Sequence, residues 1–197
     1  WMVWMVLVSW APTSAFVEVG WCAFLYLTVL ALEFAQVPVE QMGWGRVLRI
    51  LRAIYIPIML LGVTLSHLHQ SSLGTLMALI PHKVNLLWWS DLLPLLFLFS
   101  AIMAGPAMAI LEHLAAARWL GFVPRMDLLA GLARIEAWLV GLFLAFQMSD
   151  LFYRGAADAM LSGTWFAVSF WVEIGFGLLL PFVLLLMPEV RASRRGL

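Results

Sequence analysis

The stretch "IYIPIMLLGVTLSHLHQSSLG", residues 54–74, decides the fold. Its first half is an apolar run of the kind that crosses a bilayer. Its second half gathers two histidines, a glutamine and several hydroxyls where a span is expected to leave the membrane. The surrounding chain makes the membrane reading firm. Of its 197 residues, 64% are hydrophobic and only 11% charged, against about 45–50% and about 25% in soluble domains. A core of this size cannot hide such an excess, because small domains still expose much of their surface. A bilayer is the solvent that fits a mean hydropathy of +1.00.

The net charge is zero, so no basic patch for a nucleic acid is implied. A single cysteine, Cys22, lies in an apolar run. It excludes an internal disulfide and any cysteine-ligated cluster within this chain, and reads as a buried, inert thiol. The chain opens on Trp1 inside "WMVWMVLVSW", and is expected to be an internal fragment of a longer membrane protein.

A span needs about 20 mostly apolar residues. Residues 1–10 read as the end of a truncated span, broken by "APTS" at 11–14, where Thr13 or Ser14 can cap the next helix. Five full spans are expected at residues 15–32, 48–67, 92–114, 128–150 and 165–187. The expected fold is therefore all-α, a polytopic transmembrane helix bundle forming one region over residues 1–197. Arg46, Arg49 and Arg52, then Arg118 and Arg125, then Arg191, Arg194 and Arg195 alternate with loops carrying only Lys83 or Arg154. Arginine-rich loops stay cytoplasmic, so the first full span starts outside and "SHLHQSSLG" comes out there. Residues 73–80 are expected to lie on the membrane surface as a short amphipathic helix. Trp88 and Trp89 read as interface anchors, and Pro94, Pro106 and Pro181 as kinks.

Ionisable groups inside spans are functional candidates by default. Glu18 lies about one turn into the first full span and Glu33 at its inner end. The rise between them is about 22 Å, and they differ by about 60° around the axis. They share one broad face with Cys22 and Tyr26, a plausible proton route with a gap in its middle. His67 and His69 point to different sides of a helix, and imidazole exchanges protons near neutral pH. With Gln70, Ser71 and Ser72 they make a donor-rich wall at the outer edge. A satisfied interface histidine explains either imidazole taken alone equally well. Arg134 needs a partner, with Glu112 the candidate, and Glu173 beside Gly175 and Gly177 suggests a close helix contact. The histidines sit at depths that do not suit a shared bis-histidine haem, and no metal-ligand spacing appears.

The strings "FVEVGWC…LTVLALEF", "GVTLSHLHQSSLG" and "LWWSDLLPLLFLFSAIMAGPAMAILE" resemble the NrfD/PsrC (polysulfide reductase-type) family of quinone-interacting membrane subunits. The nearest branch is the HybB-like membrane subunit of nickel–iron hydrogenases. The match covers most of residues 12–114. The resemblance implies a protein of about eight to ten spans in the bacterial inner membrane, without haem or other metal. It implies a quinone (menaquinone or ubiquinone) bound near the outer face. It also implies a four-cluster ferredoxin-like iron–sulfur partner and a catalytic metalloenzyme subunit, with the iron–sulfur clusters in the partner. Carried over, Glu18, Glu33 and His69 handle protons, and His67, His69, Gln70 and Ser71 line the quinone pocket. His67 is additional to the family pattern. The competing readings are a secondary transporter or ion channel, for which inverted repeats would speak, and a passive membrane anchor.

Overall fold

A computed structural model describes residues 8, 11, 13–193 and 196. The expected truncated span at residues 1–10 and the arginines at 194 and 195 lie outside the described residues, Val8 excepted.

The described residues form antiparallel helices joined in chain order. Helix α1, Ala15–Phe34, is followed at once by α2, Gln36–Gln41. The break falls where Pro38 has no N–H to offer the Phe34 carbonyl. Ser14 takes the N-cap position of α1, but its side chain makes no capping bond. Helix α3, Gly45–Ala53, carries Arg46, Arg49 and Arg52, and meets α4, Tyr55–Ala78, at a bend of 54°. Pro57, in the first turn of α4, cannot donate to the Ala53 carbonyl, which accounts for the bend. The arginines are thereby turned out of the α4 rod, and Arg52 pairs with Glu40 at 3.0 Å on the exposed inner side.

Helix α4 runs without interruption through "SHLHQSSLG" to Ala78. The separate surface helix expected at residues 73–80 is not formed: its residues extend the span itself. The polar side chains do not end the helix because they face a neighbouring helix. Helix α5, Leu93–Leu120, packs on α4, and α6, Met126–Tyr153, packs on α5. Gly121, at φ +73°, terminates α5 in the left-handed conformation that glycine adopts without strain. After the short α7, Ala157–Met160, one rod spans residues 165–186. It consists of α8, Trp165–Val172, a π-helical turn, Glu173–Leu179, and α9, Leu180–Leu186. Pro181 follows the π turn and withholds an N–H from the Gly177 carbonyl. A last short helix, α10, covers Pro188–Ala192.

Among the described residues, four helical segments are long and apolar enough to cross a membrane, or five if the bent α3–α4 pair counts as one span. Many large apolar side chains on them are exposed, as a hydrocarbon solvent permits. The loop between α4 and α5 is held down by polar bonds, of which Ser90 to Asp150 is buried. Ser90 donates to Asp150 at 2.9 Å, Arg154 donates to the same carboxylate at 2.8 Å, and Arg154 also reaches the Leu86 carbonyl at 2.9 Å. Trp88 donates to Glu173 at 2.6 Å and Trp89 to the Ala78 carbonyl at 3.2 Å. The paired tryptophans expected as lipid-interface anchors thus spend their N–H groups on protein. Leu87, Leu151, Ala156, Phe170 and Ile174 form a small core beneath this cap.

Gly74 is where α4 and the start of α5 meet backbone to backbone. A Cβ there would stand 2.5 Å from the Leu93 carbonyl oxygen and 2.7 Å from Pro94 Cα. Around Gly175 the space is open. Gly74→Ala is expected to destabilise the bundle by about 1–3 kcal/mol, the usual range for overpacking, while Gly175→Ala leaves stability equal or raised. Thermal unfolding in detergent checks this; equal midpoints for Gly74→Ala and the unsubstituted chain would contradict it.

Candidate functional site

The α1–α4 interface carries the polar groups. The two helices run antiparallel, so ascending residues of α1 meet descending residues of α4. At the outer end Ser72 donates to Glu18 Oε1 at 2.6 Å. Ser72 is only 2% exposed, whereas Glu18 keeps an exposed side. The Cys22 thiol, one turn deeper on α1, also neighbours the Ser72 hydroxyl. At the inner end a Cβ on Gly62 would touch Val29 at 3.1 Å and Glu33 Oε1 at 3.8 Å. The missing side chain of Gly62 relieves Val29 of α1, while Glu33 stands at ordinary van der Waals distance from the same position.

Gly62, Leu65, His69 and Ser72 follow the i, i+3, i+4 pattern that puts residues on one helix face. Leu65 and Ser72 are buried on it. His69 is partly buried, and its Nδ1 is enclosed with no hydrogen-bond partner among the described residues. His69 therefore stands on the α1-facing stripe between the Glu18–Ser72 pair and the Glu33 level. Leaving an enclosed ring nitrogen unmatched costs about 1–3 kcal/mol, so this position is stabilised by anything that supplies a partner.

Below it lies a cleft of about 470 Å³ between α1, α4 and α5, with Tyr26, Glu33, Ser66 and His67 among its walls. His67 Nδ1 is 2.6 Å from the Val63 carbonyl, so that nitrogen is the donor. The two neighbouring histidines are thus sorted: His67 faces the inner cleft with Glu33, and His69 the outer half of the helix interface. Gln70 and Ser71, expected beside them, are half-buried near the outer end of α4. The serine bound to Glu18 is Ser72. Its distinction from Ser71 lies in the helical stripe, since only Ser72 falls three residues after His69 on the buried face.

Two expected pairings are not formed. Among the described residues Arg134 is exposed and makes no ion pair with Glu112. Glu136, two residues on, is buried instead, 7% exposed, with Oε2 unpartnered among the described residues. Gly175 and Gly177 face open space and so do not bring a helix close beside Glu173; Glu173 accepts from Trp88 instead. His67 and His69 share one helix, and His82 is exposed in the outer loop. His113, near the inner end of α5, is 3.4 Å from the Arg125 N–H and packs edge-on to Phe122.

A family model described as "Polysulphide reductase, NrfD" matches residues 1–197. The chain is 33% identical over 187 residues to the "Probable Ni/Fe-hydrogenase 2 b-type cytochrome subunit" of Escherichia coli (strain K12). That alignment covers 93% of this chain and 47% of the relative, so the chain spans about half its length. A protein of Nitratidesulfovibrio vulgaris is 39% identical over 104 residues, covering 53% of this chain and 27% of that one. No solved structure matches.

The Glu18–Ser72 bond joins two helices across a sequence separation of 54 residues. A double-mutant cycle of Glu18→Ala and Ser72→Ala is expected to give a coupling of about 1 kcal/mol in thermal unfolding. Strictly additive effects would contradict the bond.

Proposed function

The chain belongs to the NrfD family of multi-pass membrane proteins, and from that premise we propose that it forms the quinone-reactive part of a respiratory oxidoreductase's membrane subunit. In this reading, electrons from an iron–sulfur partner on the outer face meet protons held by Glu18 and His69, and the substrate is a quinone dissolved in the bacterial inner membrane. The observation that carries the reading is His69. It presents an enclosed ring nitrogen with no partner among the described residues, and it sits between a carboxylate–hydroxyl pair and a cleft lined by Glu33, Tyr26 and His67.

The chemistry requires this combination. Reducing a quinone takes two electrons and two protons and yields a quinol. The hydrocarbon core supplies neither. A lipid-soluble ring entering between helices needs a donor for its carbonyl oxygen, and a protonated His69 Nδ1 is such a donor. Imidazole serves as a proton shuttle, so the same group can hand over a proton and be recharged. Glu18 is suited to recharge it, because its carboxylate has an exposed side and is tethered by Ser72 next to the helix interface. The positioned proton donor is worth about 10²–10⁴ in rate.

The inner cleft extends the reading. Tyr26, Ser66 and His67 line this cleft together with Glu33 and fall between the levels of the two acids of α1, where the sequence left a gap. Together they supply titratable or hydroxyl-bearing groups at depths between Glu18 and the cytoplasmic side. A proton taken up through Glu33 and released at the quinone would move charge across the bilayer. The capped outer loop offers a firm platform for a partner, because Asp150, Ser90, Arg154 and Trp88 hold it from within.

In the purified membrane complex, His69→Ala is expected to lower quinone-linked turnover at least about a hundredfold and to reduce co-purified quinone. Reduction of an artificial dye by the catalytic partner is expected to persist. Quinone-linked turnover retained at the level of the unsubstituted complex would overturn the proposal.

A further inference from the structure

Arg134 lies about 12 Å along α6 from Met126, at about 1.5 Å per residue, well inside the span. It is exposed and makes no ion pair among the described residues. A cation on the hydrocarbon-facing side of a span is costly unless a counter-charge meets it. On its outer side a cleft of about 410 Å³ opens between α6 and α9. Ala137, Trp138, Gly141 and Leu142 of α6 form one wall, and Phe182 and Leu186 of α9 the other. The Phe182 ring reaches close to the α6 backbone, since a Cβ on Gly141 would stand 2.8 Å from it. Trp138, 77% exposed, and Leu186, 50% exposed, leave the cleft open to the outside of the bundle.

The cation and the cleft belong to one surface. Ala137, Trp138 and Gly141 stand three, four and seven residues after Arg134, the spacing that puts residues on one helix face. Helix side chains lean toward the N-terminus, which for α6 is the inner end. The Arg134 stem therefore leads from the mouth of the cleft toward the inner membrane surface, the course by which long basic side chains keep their charge at the interface. Gly131, three residues earlier, leaves open space beside that path. The same end is rich in cations. Arg118 and Arg125 flank the α5–α6 loop, and Arg191 lies on α10, which packs against α6. Asp127, an acid of the Arg134 face, is engaged by Arg125 at 3.5 Å.

We propose that this surface binds an anionic phospholipid of the inner leaflet, with one acyl chain in the α6–α9 cleft and the phosphate held at Arg134. The occupant follows from charge and shape. An apolar groove with a cation at its inner mouth matches an amphiphile that carries hydrocarbon at one end and negative charge at the other. A guanidinium takes phosphate oxygens two at a time. A zwitterionic headgroup offsets its phosphate with its own amine and is the weaker partner. The lipid supplies the counter-charge that Arg134 lacks within the described residues. The proposal uses no residue of the Glu18–His69 interface and does not rest on the quinone reading.

The test is native mass spectrometry of the purified membrane complex in detergent, titrated with phosphatidylglycerol or with phosphatidylcholine. Phosphatidylglycerol is expected to bind about tenfold or more tighter, the effect of one charged hydrogen-bond partner. Arg134→Gln is expected to remove that preference by weakening phosphatidylglycerol to the same extent, and Arg134→Lys, which keeps the charge, to retain a preference. Leu142→Trp fills the cleft from an exposed position and is expected to weaken both lipids by about threefold or more, through lost apolar burial. Arg118→Gln, exposed at the same end but outside the cleft, is expected to change neither. Phosphatidylglycerol binding unaltered by Arg134→Gln overturns the proposal, whether the headgroup sits elsewhere or another span of the complex covers this face. Equal weakening by Arg118→Gln overturns it as well, because the preference is then general surface charge.

Discussion

The hydrocarbon core of a bilayer offers no water, so every polar group inside the bundle must find its partner within the protein. That constraint organises the molecule. Ser72 and Glu18 satisfy one another across α1 and α4 at 2.6 Å. Thr28, Thr64 and Ser100 return their hydroxyls to carbonyls of their own helices. Asp150 is held by Ser90 and Arg154. Against this background the enclosed polar atoms that remain unmatched among the described residues stand out: one nitrogen of His69, and single oxygens of Glu136 and Gln147. In a solvent that penalises such atoms severely, they are where ligands and protons are most naturally handled.

The helix architecture serves this arrangement through a few small residues and prolines. Gly62 lets Val29 of α1 pack closely on α4, and Gly74 lets the end of α4 and the start of α5 touch. Pro57 breaks the rod, so that α3 with its three arginines meets α4 at a bend of 54°. The outer cap then closes over α6 and the π turn, fixing Trp88 against Glu173. The family relationship agrees with a multi-pass membrane bundle, and the chain spans about half the length of the E. coli relative.

Much of this was legible in the sequence, and the exceptions have physical causes. Hydropathy and arginine placement located the helical spans, and the 100° periodicity put Glu18 and Glu33 on one face. The end of α4 was misread because "HLHQSS" is polar, and polar residues usually mean departure from the membrane. Here they point at a neighbouring helix, so the rod continues to Ala78. A single sequence carries no sign of which serine a distant acid will choose, and Ser72 became distinct from Ser71 only once α1 lay alongside. Arg134 and Glu136 were weighed by charge and depth, yet which of two residues so close in sequence turns inward depends on packing against α5. The Trp88 and Trp89 indoles were read as lipid anchors because the loop's fold over α6 is a long-range event.

The central claim is that the α1–α4 interface receives a quinone ring at His69. Electron cryo-microscopy of the intact membrane complex with a short-chain quinone analogue tests it most directly. The account predicts ring density between α1 and α4, with an oxygen within about 3.2 Å of His69 Nδ1, the ordinary limit of an N–H···O bond. Density confined to another surface, or a His69 ring bonded to a protein group from a neighbouring helix, would contradict it.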